Sequence, residues 1–137
     1  MSKDKHWLSD VRTISHEEIE EIVRRHELWL SNHPHGKFGC FDKIDLMGFD
    51  LFGRNIAAVS FGGCFGLQGY VGTDSRGYSF HGIFAADGPR VIAGCRNYTA
   101  ARAIAHWGPG GKSNRPDCLD LAKKAIALAE RSKEERP

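Results

Sequence analysis

The stretch FDKIDLMGFDLFGRNIAAVSFGG, residues 41–63, carries a large apolar residue at every fifth position. These residues are Phe41, Leu46, Leu51, Ile56 and Phe61. A period of five matches neither the period of an α-helix nor the alternation of a β-strand. It fits a chain that turns a corner every five residues and points one apolar side chain inward from each segment. The spacing therefore predicts a square solenoid, with four segments to each coil.

This solenoid needs support from the rest of the chain. Residues 39–66 supply about five units, little more than one coil, whereas stacked repeats need about three layers or heavy capping to bury a continuous core. We therefore expect a single α+β domain over residues 1–137, in which the other elements cover both ends of the coil. The alternative is that the apolar residues belong to ordinary short strands joined by glycine turns.

A helix precedes the periodic stretch. Ser15 and Glu18 form a capping-box pattern, and Pro34 and Gly36 mark the end of the helical pattern. Apolar residues at helical spacing form one stripe: Ile19, Ile22, Val23, His26, Trp29 and Leu30. The pattern predicts a capping helix over residues 15–31, after an N-terminal arm over residues 1–14.

Glycine-rich β-sequence and two further helices follow the periodic stretch. Short strands are predicted at residues 70–71, 78–84 and 89–93. Together they make a β-meander over residues 67–94. Thr99 caps a helix that ends at the Gly-Pro-Gly-Gly run, and a last helix begins at about Asp117. The C-terminal helices occupy residues 99–131, and the polar tail after them is predicted to be disordered.

The composition describes an ordinary globular domain. The formal net charge is only +2, which argues against phosphate-backbone binding, because that binding needs many clustered cations. No apolar run is long enough for a signal peptide or a bilayer span, so we expect a soluble cytoplasmic protein. No C-x-x-C pair is present, and the cysteines are expected to be small, reduced, buried side chains: Cys40, Cys64, Cys95 and Cys118.

The sequence carries no recognisable catalytic or metal-binding signature. Cys95 with His81 or His106 is a candidate nucleophile and base, but the spacing matches no nucleophile elbow or protease motif. His33 and His35 supply only two ligands for a metal. Two glycine-rich stretches, GFDLFG and FGGCFG, lack the Lys-Ser/Thr of a phosphate-binding loop. We therefore expect no enzyme activity, no metal and no cofactor.

The units IDLMG, FDLFG, RNIAA and VSFGG place the large residue third, with Asp, Asn or Ser before it, and this pattern resembles the pentapeptide-repeat family. Residues Ile44, Phe49, Arg54 and Val59 depart from the family, which has alanine or another small residue there. An unpaired Arg54 could not face a dry interior. The resemblance implies a short right-handed quadrilateral β-helix, capped by the N-terminal helix and joined to the β-meander and the C-terminal helices.

Two longer stretches are similar to a group of phage and prophage pentapeptide-repeat proteins. In these proteins a helix ends in H-x-x-W-L before the repeats, as at residues 26–30. Their C-terminal portion has a hairpin ending in G-C-R, as at residues 94–96, before a helix ending in H-W, as at residues 106–107. The resemblance spans residues 17–107 and extends to anti-CRISPR proteins of the type I-C kind.

The resemblance implies a function. By this resemblance, the protein is expected to be a non-enzymatic inhibitor of a bacterial CRISPR-Cas surveillance complex of type I, acting in the cytoplasm of the bacterial host. Such an inhibitor would block target-DNA binding by occupying a protein surface, without binding nucleic acid itself. Two alternatives stay open: a structural or interaction module of a phage or prophage, and a DNA mimic that acts on a topoisomerase or another DNA-binding protein. The oligomeric state also stays open.

An acidic surface is the candidate partner-binding site. Its residues are Glu17, Glu18, Glu20, Glu21, Glu27, Asp42, Asp45 and Asp50. DNA mimicry by stacked coils needs acidic residues twenty positions apart, but Phe65 and Tyr70 stand twenty positions after Asp45 and Asp50. This mismatch disfavours the DNA-mimic alternative. The simpler interpretation of the glutamates is a solvated, well-capped helix start.

A basic patch is the other candidate surface. Arg90, Arg96 and Arg102 could face nucleic acid or an acidic partner. The simpler interpretation is scattered solvation with one or two local ion pairs. Neither sign of charge dominates the sequence.

Overall fold

A computed structural model of the chain describes residues 11–136. Its elements are α1 (His16–Leu30), β1 (Tyr70–Thr73), β2 (Ser79–Ala85), β3 (Gly88–Ala93), β4 (Arg96–Thr99), α2 (Ala100–Trp107) and α3 (Pro116–Glu134). The strands form one antiparallel sheet in the order β1-β2-β3-β4, so the predicted α+β class is confirmed. Most of the predicted N-terminal arm, residues 1–10, lies outside the described residues. None of the helices in the described part of the chain is long and apolar enough to cross a membrane.

The prediction of a right-handed quadrilateral β-helix is wrong. Residues 39–66, which we name the turn segment, contain no strand, and the regular β-structure of the described residues is the single open sheet. Parallel bridges within the turn segment are isolated ones, from Cys40 to Ser60 and from Asp45 to Phe65. A strand needs a continuous ladder of hydrogen bonds to a neighbour. A segment that winds little more than once has no second coil to supply that ladder.

The five-residue spacing corresponds to one turn of the backbone in every five residues. Each of the five large apolar residues begins a turn, because its carbonyl accepts the N–H three residues later at 3.0–3.2 Å. The third residue of each turn has a positive φ, and Gly48, Gly53 and Gly63 occupy three of these positions. Lys43 and Ala58 take the other two, with φ of 59° and 68°. The five apolar side chains are at most 2% exposed and form the interior of the turn segment.

Two elements cover the open ends of this interior. α1 packs Ile19 and Val23 into the same apolar cluster as the turn segment. The sheet contributes Ile83, Ala85 and Ile92 to that cluster. Within the described residues α1 contacts no strand, so the turn segment lies between the helix and the sheet.

The opposite face of the sheet packs against α2 and α3. Phe80 and Val91 point to this side and meet Trp107 of α2. α3 approaches the sheet so closely that a Cβ atom at Gly82 would lie 1.9 Å from the carbonyl oxygen of Ala125. The buried residues of α3 are correspondingly small: Cys118, Ala122, Ala125 and Ala129. The fold is therefore a stack of α1, the turn segment, the sheet and the helix pair.

The C-terminal part differs from the prediction in two respects. β4 is absent from the prediction, although it extends the meander by pairing with β3. α3 continues to Glu134, into the tail that was predicted to be disordered. The last described residues contact the rest of the fold, because Lys133 lies over the Phe84 ring at 5.1 Å and Arg136 lies over the Phe52 ring at 3.9 Å.

His26 fastens α1 to the turn segment. Its side chain is fully buried, and Nδ1 accepts the N–H of Gly39 at 2.8 Å. Its Nε2–H group donates to the carbonyl oxygen of Ala57 at 2.6 Å. Because one ring nitrogen accepts and the other donates, the ring is the neutral tautomer protonated at Nε2. One side chain thus bonds two separate parts of the turn segment.

Replacing His26 by alanine removes both hydrogen bonds and leaves a cavity at the cap. We expect His26→Ala to lower the free energy of unfolding by about 2–4 kcal/mol, measured by urea denaturation. The control is His35→Ala in the exposed loop after α1, with an expected change below about 0.5 kcal/mol. Equal stabilities of the two variants would show that apolar contacts alone hold α1 in place.

Candidate functional site

Arg54 pairs with two residues of the predicted acidic surface. Its guanidinium binds Glu20 at 2.7 Å and Glu27 at 2.8 Å, and Glu27 also accepts the N–H of Asn55. These two carboxylates raise the pKa of Arg54 above its ordinary value. The arginine that could not stand unpaired in a dry interior is therefore paired, at the junction of α1 and the turn segment.

The other glutamates of the predicted surface have different environments. Glu21 binds Arg24 at 2.7 Å and Arg25 at 2.6 Å, and hydrogen bonds from these two arginines lower the pKa of Glu21 to about 2. Glu18 completes the capping box at the start of α1. Glu17 lies exposed in the first turn of the helix.

The aspartates of the predicted surface stabilise corners of the turn segment. Each accepts a backbone N–H: Asp42 from Gly62, Asp45 from Met47 and Asp50 from Phe52. Asp50 also binds Arg136 at 2.8 Å. The structure therefore brings Glu20 and Glu27 together at Arg54 and distributes the remaining acidic residues over α1 and the corners.

Positively charged side chains from four places in the chain line one open cleft of about 670 Å³. They are Arg76 in the β1–β2 turn, Arg96 on β4, Arg102 on α2 and Lys112 in the loop after α2. Tyr98, His106 and Trp107 also line this cleft, which we name the basic cleft. The residues meet because β4 leads directly into α2, and α2 packs on β3 and β4.

Tyr98 orders the two arginines nearest to it. Arg102 lies over the ring, with its Cζ atom 4.8 Å from the ring centroid, and Arg96 donates to the Tyr98 hydroxyl at 2.8 Å. Tyr98 is itself buried against Trp107, with ring centroids 5.7 Å apart. Stacking restricts the motion of the guanidinium groups, so less freedom is lost when they bind a ligand.

The basic cleft carries uncompensated positive charge. Arg96, Arg102 and Lys112 form no ion pair with any carboxylate of residues 11–136. Arg76 alone among the four is paired, with Asp74 at 2.9 Å. The site therefore has charges available for an anionic partner.

His106 responds to this positive charge. Burial lowers the pKa of His106, and the four cations of the basic cleft lower it further. The imidazole therefore resists protonation as long as no anion occupies the cleft. Its titration is a natural reporter for the arrival of negative charge.

Arg90, which the sequence grouped with two arginines of the basic cleft, lies elsewhere. Its side chain is buried and binds Asp87 at 3.0 Å and the Asn97 side chain at 2.9 Å. Asn97 in turn donates to two carbonyl groups of the turn segment. Arg90 thus helps to attach the sheet to the turn segment.

Arg76 and Lys112 of the basic cleft are not among the residues predicted from the sequence. The sequence does contain one indication of Lys112. Residues 111–113 read Gly-Lys-Ser, and the Lys-Ser pair is the feature of a phosphate-binding loop that GFDLFG and FGGCFG lack. In the structure this loop follows helix α2, whereas a Walker loop joins a strand to a helix. Arg102 and His106 are four residues apart on α2, a spacing that places two side chains on one face.

Asp74 holds the turn that carries Arg76. Its side chain is fully buried, and Oδ1 accepts the N–H groups of Arg76 and Tyr78 at 2.9 and 3.0 Å. Oδ2 accepts from the Arg76 guanidinium at 2.9 Å and from the thiol of Cys118 at 3.4 Å. Burial by itself raises the pKa of Asp74, but these hydrogen bonds outweigh burial and lower the pKa to about 2.

Cys95 and His81, two of the candidate nucleophile and base residues, line one cavity but are not hydrogen-bonded to each other. In the part of the chain that the structure describes, no hydrogen bond joins Cys95 to His81 or His106, and His81 bonds the carbonyl oxygen of Gln68 at 3.0 Å. No group of three His, Cys, Asp or Glu side chains within residues 11–136 is arranged to hold a metal. The cysteines differ from the prediction that all are buried: Cys118 is buried, Cys64 is partly buried, and Cys40 and Cys95 are exposed.

Comparison of the chain with protein-family models, with curated proteins and with solved structures gives no match. The resemblance to phage pentapeptide-repeat and anti-CRISPR proteins therefore stays a prediction.

Replacing Asp74 by asparagine keeps an Oδ1 acceptor for the turn but sets an amide N–H₂ group against the Arg76 guanidinium. We expect Asp74→Asn to lower the free energy of unfolding by about 2 kcal/mol at neutral pH. The folded-state pKa of Asp74, about 2, lies below the ordinary value of 3.8. The contribution is therefore complete well above that ordinary value and is lost as the pH falls from 3.8 towards 2.

Urea denaturation of the wild type and Asp74→Asn at a series of pH values measures this contribution. The stability curves of the two proteins should converge at acid pH. Curves that stay parallel would contradict the role assigned to the Asp74 carboxylate.

Proposed function

We propose that this protein acts by binding and that the basic cleft holds a phosphate-bearing partner. The observation that carries the proposal is the presence of Arg96, Arg102 and Lys112 on one cleft without a carboxylate partner among the described residues. Guanidinium groups match the oxygens of phosphate with paired N–H donors, and lysine adds a compact charge. A cleft of about 670 Å³ has the size of a ligand site.

The small net charge does not argue against this local site. The chain has 19 Lys and Arg against 17 Asp and Glu, but a total says nothing about where each sign concentrates. Three of the glutamates of α1 are paired with arginines that do not line the basic cleft. Glu20 and Glu27 bind Arg54, and Glu21 binds Arg24 and Arg25. The expectation that the protein does not bind nucleic acid was based on net charge. The cations of the basic cleft instead support binding of phosphate groups.

Inorganic tripolyphosphate is a direct probe of the basic cleft. Isothermal titration calorimetry at low salt should detect binding to the wild type, because buffer salt screens exposed charges less under these conditions. Arg96→Gln/Arg102→Gln should weaken the affinity at least about tenfold, which is about 1.4 kcal/mol. The pKa of His106, followed by NMR, should rise on binding, because the anion offsets the cations that lower it.

The control variant is Arg24→Gln/Arg25→Gln, which removes the same charge from the exposed side of α1. It should bind tripolyphosphate like the wild type and leave the titration of His106 unchanged. If the two double variants lowered the affinity for tripolyphosphate equally, the anion would be attracted by the net charge of the protein alone. That result, or no binding by the wild type, would overturn the proposed site.

Inhibition of a type I CRISPR-Cas surveillance complex is a second proposal, based on the resemblance. The basic cleft offers this inhibitor a contact that differs from the predicted acidic surface. A cluster of cations could engage the phosphates of the guide RNA or target DNA that such a complex holds. An acidic contact would instead act through Glu17, an exposed glutamate of α1 that, like the capping residue Glu18, forms no ion pair within residues 11–136.

A gel shift with a purified type I-C complex tests both contacts. Wild-type protein at modest molar excess should abolish the band of complex bound to target DNA. Arg96→Gln/Arg102→Gln should restore the band if the basic cleft acts, and Glu17→Lys should restore it if the acidic surface acts. An unchanged band together with unchanged target cleavage would reject inhibition and favour a phage interaction module.

A further inference from the structure

The basic cleft continues into two smaller cavities. The first has a volume of about 130 Å³ and shares Arg76, Arg96 and Trp107 with the basic cleft. The second has a volume of about 410 Å³ and shares Tyr78 and Gly94 with the first. We name the second the glycine-lined cavity and the three together the groove. The three cavities adjoin at the β1–β2 and β3–β4 turns, with Ile92 of the glycine-lined cavity on the turn-segment side of the sheet and Trp107 of the other two on the helix side.

The glycine-lined cavity differs in chemistry from the basic cleft. Its walls include Gly62, Gly63, Gly77 and Gly94, and its apolar side chains include Phe61. Glycines leave bare backbone, so a flat group can approach closely. A Cβ atom at Gly94 would lie 3.2 Å from the Tyr78 ring, which shows how little space separates this backbone from the ring. Tyr78 is nevertheless 50% exposed.

An arginine and a tyrosine stand where the charged and apolar parts of the groove join. The Cζ atom of Arg76 lies 4.9 Å from the centroid of the Tyr78 ring. Asp74 fixes this pair, since it accepts hydrogen bonds from the backbone of both residues. Arginine planes and tyrosine rings are the groups on which unpaired bases stack in nucleic-acid-binding proteins.

The groove therefore matches a ligand that is anionic at one end and flat and aromatic at the other. A nucleotide has this chemistry. In a duplex the bases are stacked and paired, so a base can enter a side cavity only from a single strand or after extrusion. A cavity of about 410 Å³ lies within the size range of small-ligand sites.

We propose that the groove binds single-stranded nucleic acid, with one unpaired base in the glycine-lined cavity beside Tyr78 and the neighbouring phosphates in the basic cleft. This proposal rests on the phosphate binding proposed above. Arg96, Arg102 and Lys112 hold the backbone, and Tyr78 with Arg76 supplies the stacking surface. The site reads the presence of a base and tolerates different sequences, because every base has an aromatic face.

Fluorescence anisotropy on the full chain tests the proposal with three labelled probes: a single strand of about ten nucleotides, the same strand with abasic sites, and the corresponding duplex. The wild type should bind the single strand about five- to a hundredfold more tightly than the abasic strand, the range expected for stacking of one base. It should also prefer the single strand to the duplex. This comparison needs no variant, so it holds even where a substitution disturbs folding.

Variants then separate the two ends of the groove. Tyr78→Ala should bind the single strand and the abasic strand equally, whereas Tyr78→Phe should keep the preference. Arg96→Gln/Arg102→Gln should weaken binding of both strands. The control is Tyr70→Ala, which removes a similarly exposed tyrosine from β1 and should leave every affinity unchanged.

The possible failures are distinguishable. Equal binding of the single strand and the abasic strand by the wild type would overturn the base site and leave the phosphate site standing. Binding of tripolyphosphate without binding of any strand would overturn the nucleic-acid ligand. Displacement of the single strand by poly-glutamate at equal charge concentration would identify an acidic peptide as the ligand and overturn the proposal. Failure of tripolyphosphate itself to bind would remove the proposed function as well.

Discussion

The apolar interior of the turn segment is open at both ends, and the rest of the fold depends on covering it. Its large side chains point inward from successive turns, but one winding cannot stack on a copy of itself. α1 covers one end with Ile19 and Val23, and the sheet covers the other with Ile83. Polar groups then fix how each cap is oriented, because His26 and Asn97 bond backbone carbonyls of the turn segment. Burial of apolar surface brings the elements together, and the hydrogen bonds select one arrangement.

Covering the turn segment leaves the sheet with a second apolar face, and the layer that buries this face builds the groove. β4 passes directly into α2, which brings Arg96 to the hydroxyl of Tyr98 and Arg102 over its ring. α3 lies on the same face and reaches the β1–β2 turn, where the thiol of Cys118 donates to Asp74. The acidic and the basic side chains consequently have different roles. Most of the carboxylates predicted as a binding surface stabilise the fold, while Arg96, Arg102 and Lys112 of the basic cleft form no ion pair within residues 11–136.

Local patterns in the sequence predicted local structure well. The five-residue spacing predicts turns and inward side chains because each turn depends only on its own residues, with glycine at positions of positive φ. The β-helix did not follow, because a strand depends on neighbours that one winding cannot supply. The pairing of Glu21 with Arg24 and Arg25 follows the helical spacing of three and four residues, so it is predictable from the sequence. The basic cleft was not readable, since its cations lie in a turn, a strand, a helix and a loop with no common spacing.

The close approach of α3 to Gly82 links the centre of the sheet to the groove. A larger residue at position 82 would have to push the whole helix outward, because the obstacle is the backbone of Ala125 and not a movable side chain. Cys118 would move with the helix, and the turn that Asp74 holds would move with Cys118. The shape of the groove thus depends on a contact between Gly82 and Ala125, neither of which lines any of the three cavities. Among relatives of this protein, we expect the glycine of β2 and the alanines of α3 either to be substituted in a correlated way or to remain unchanged.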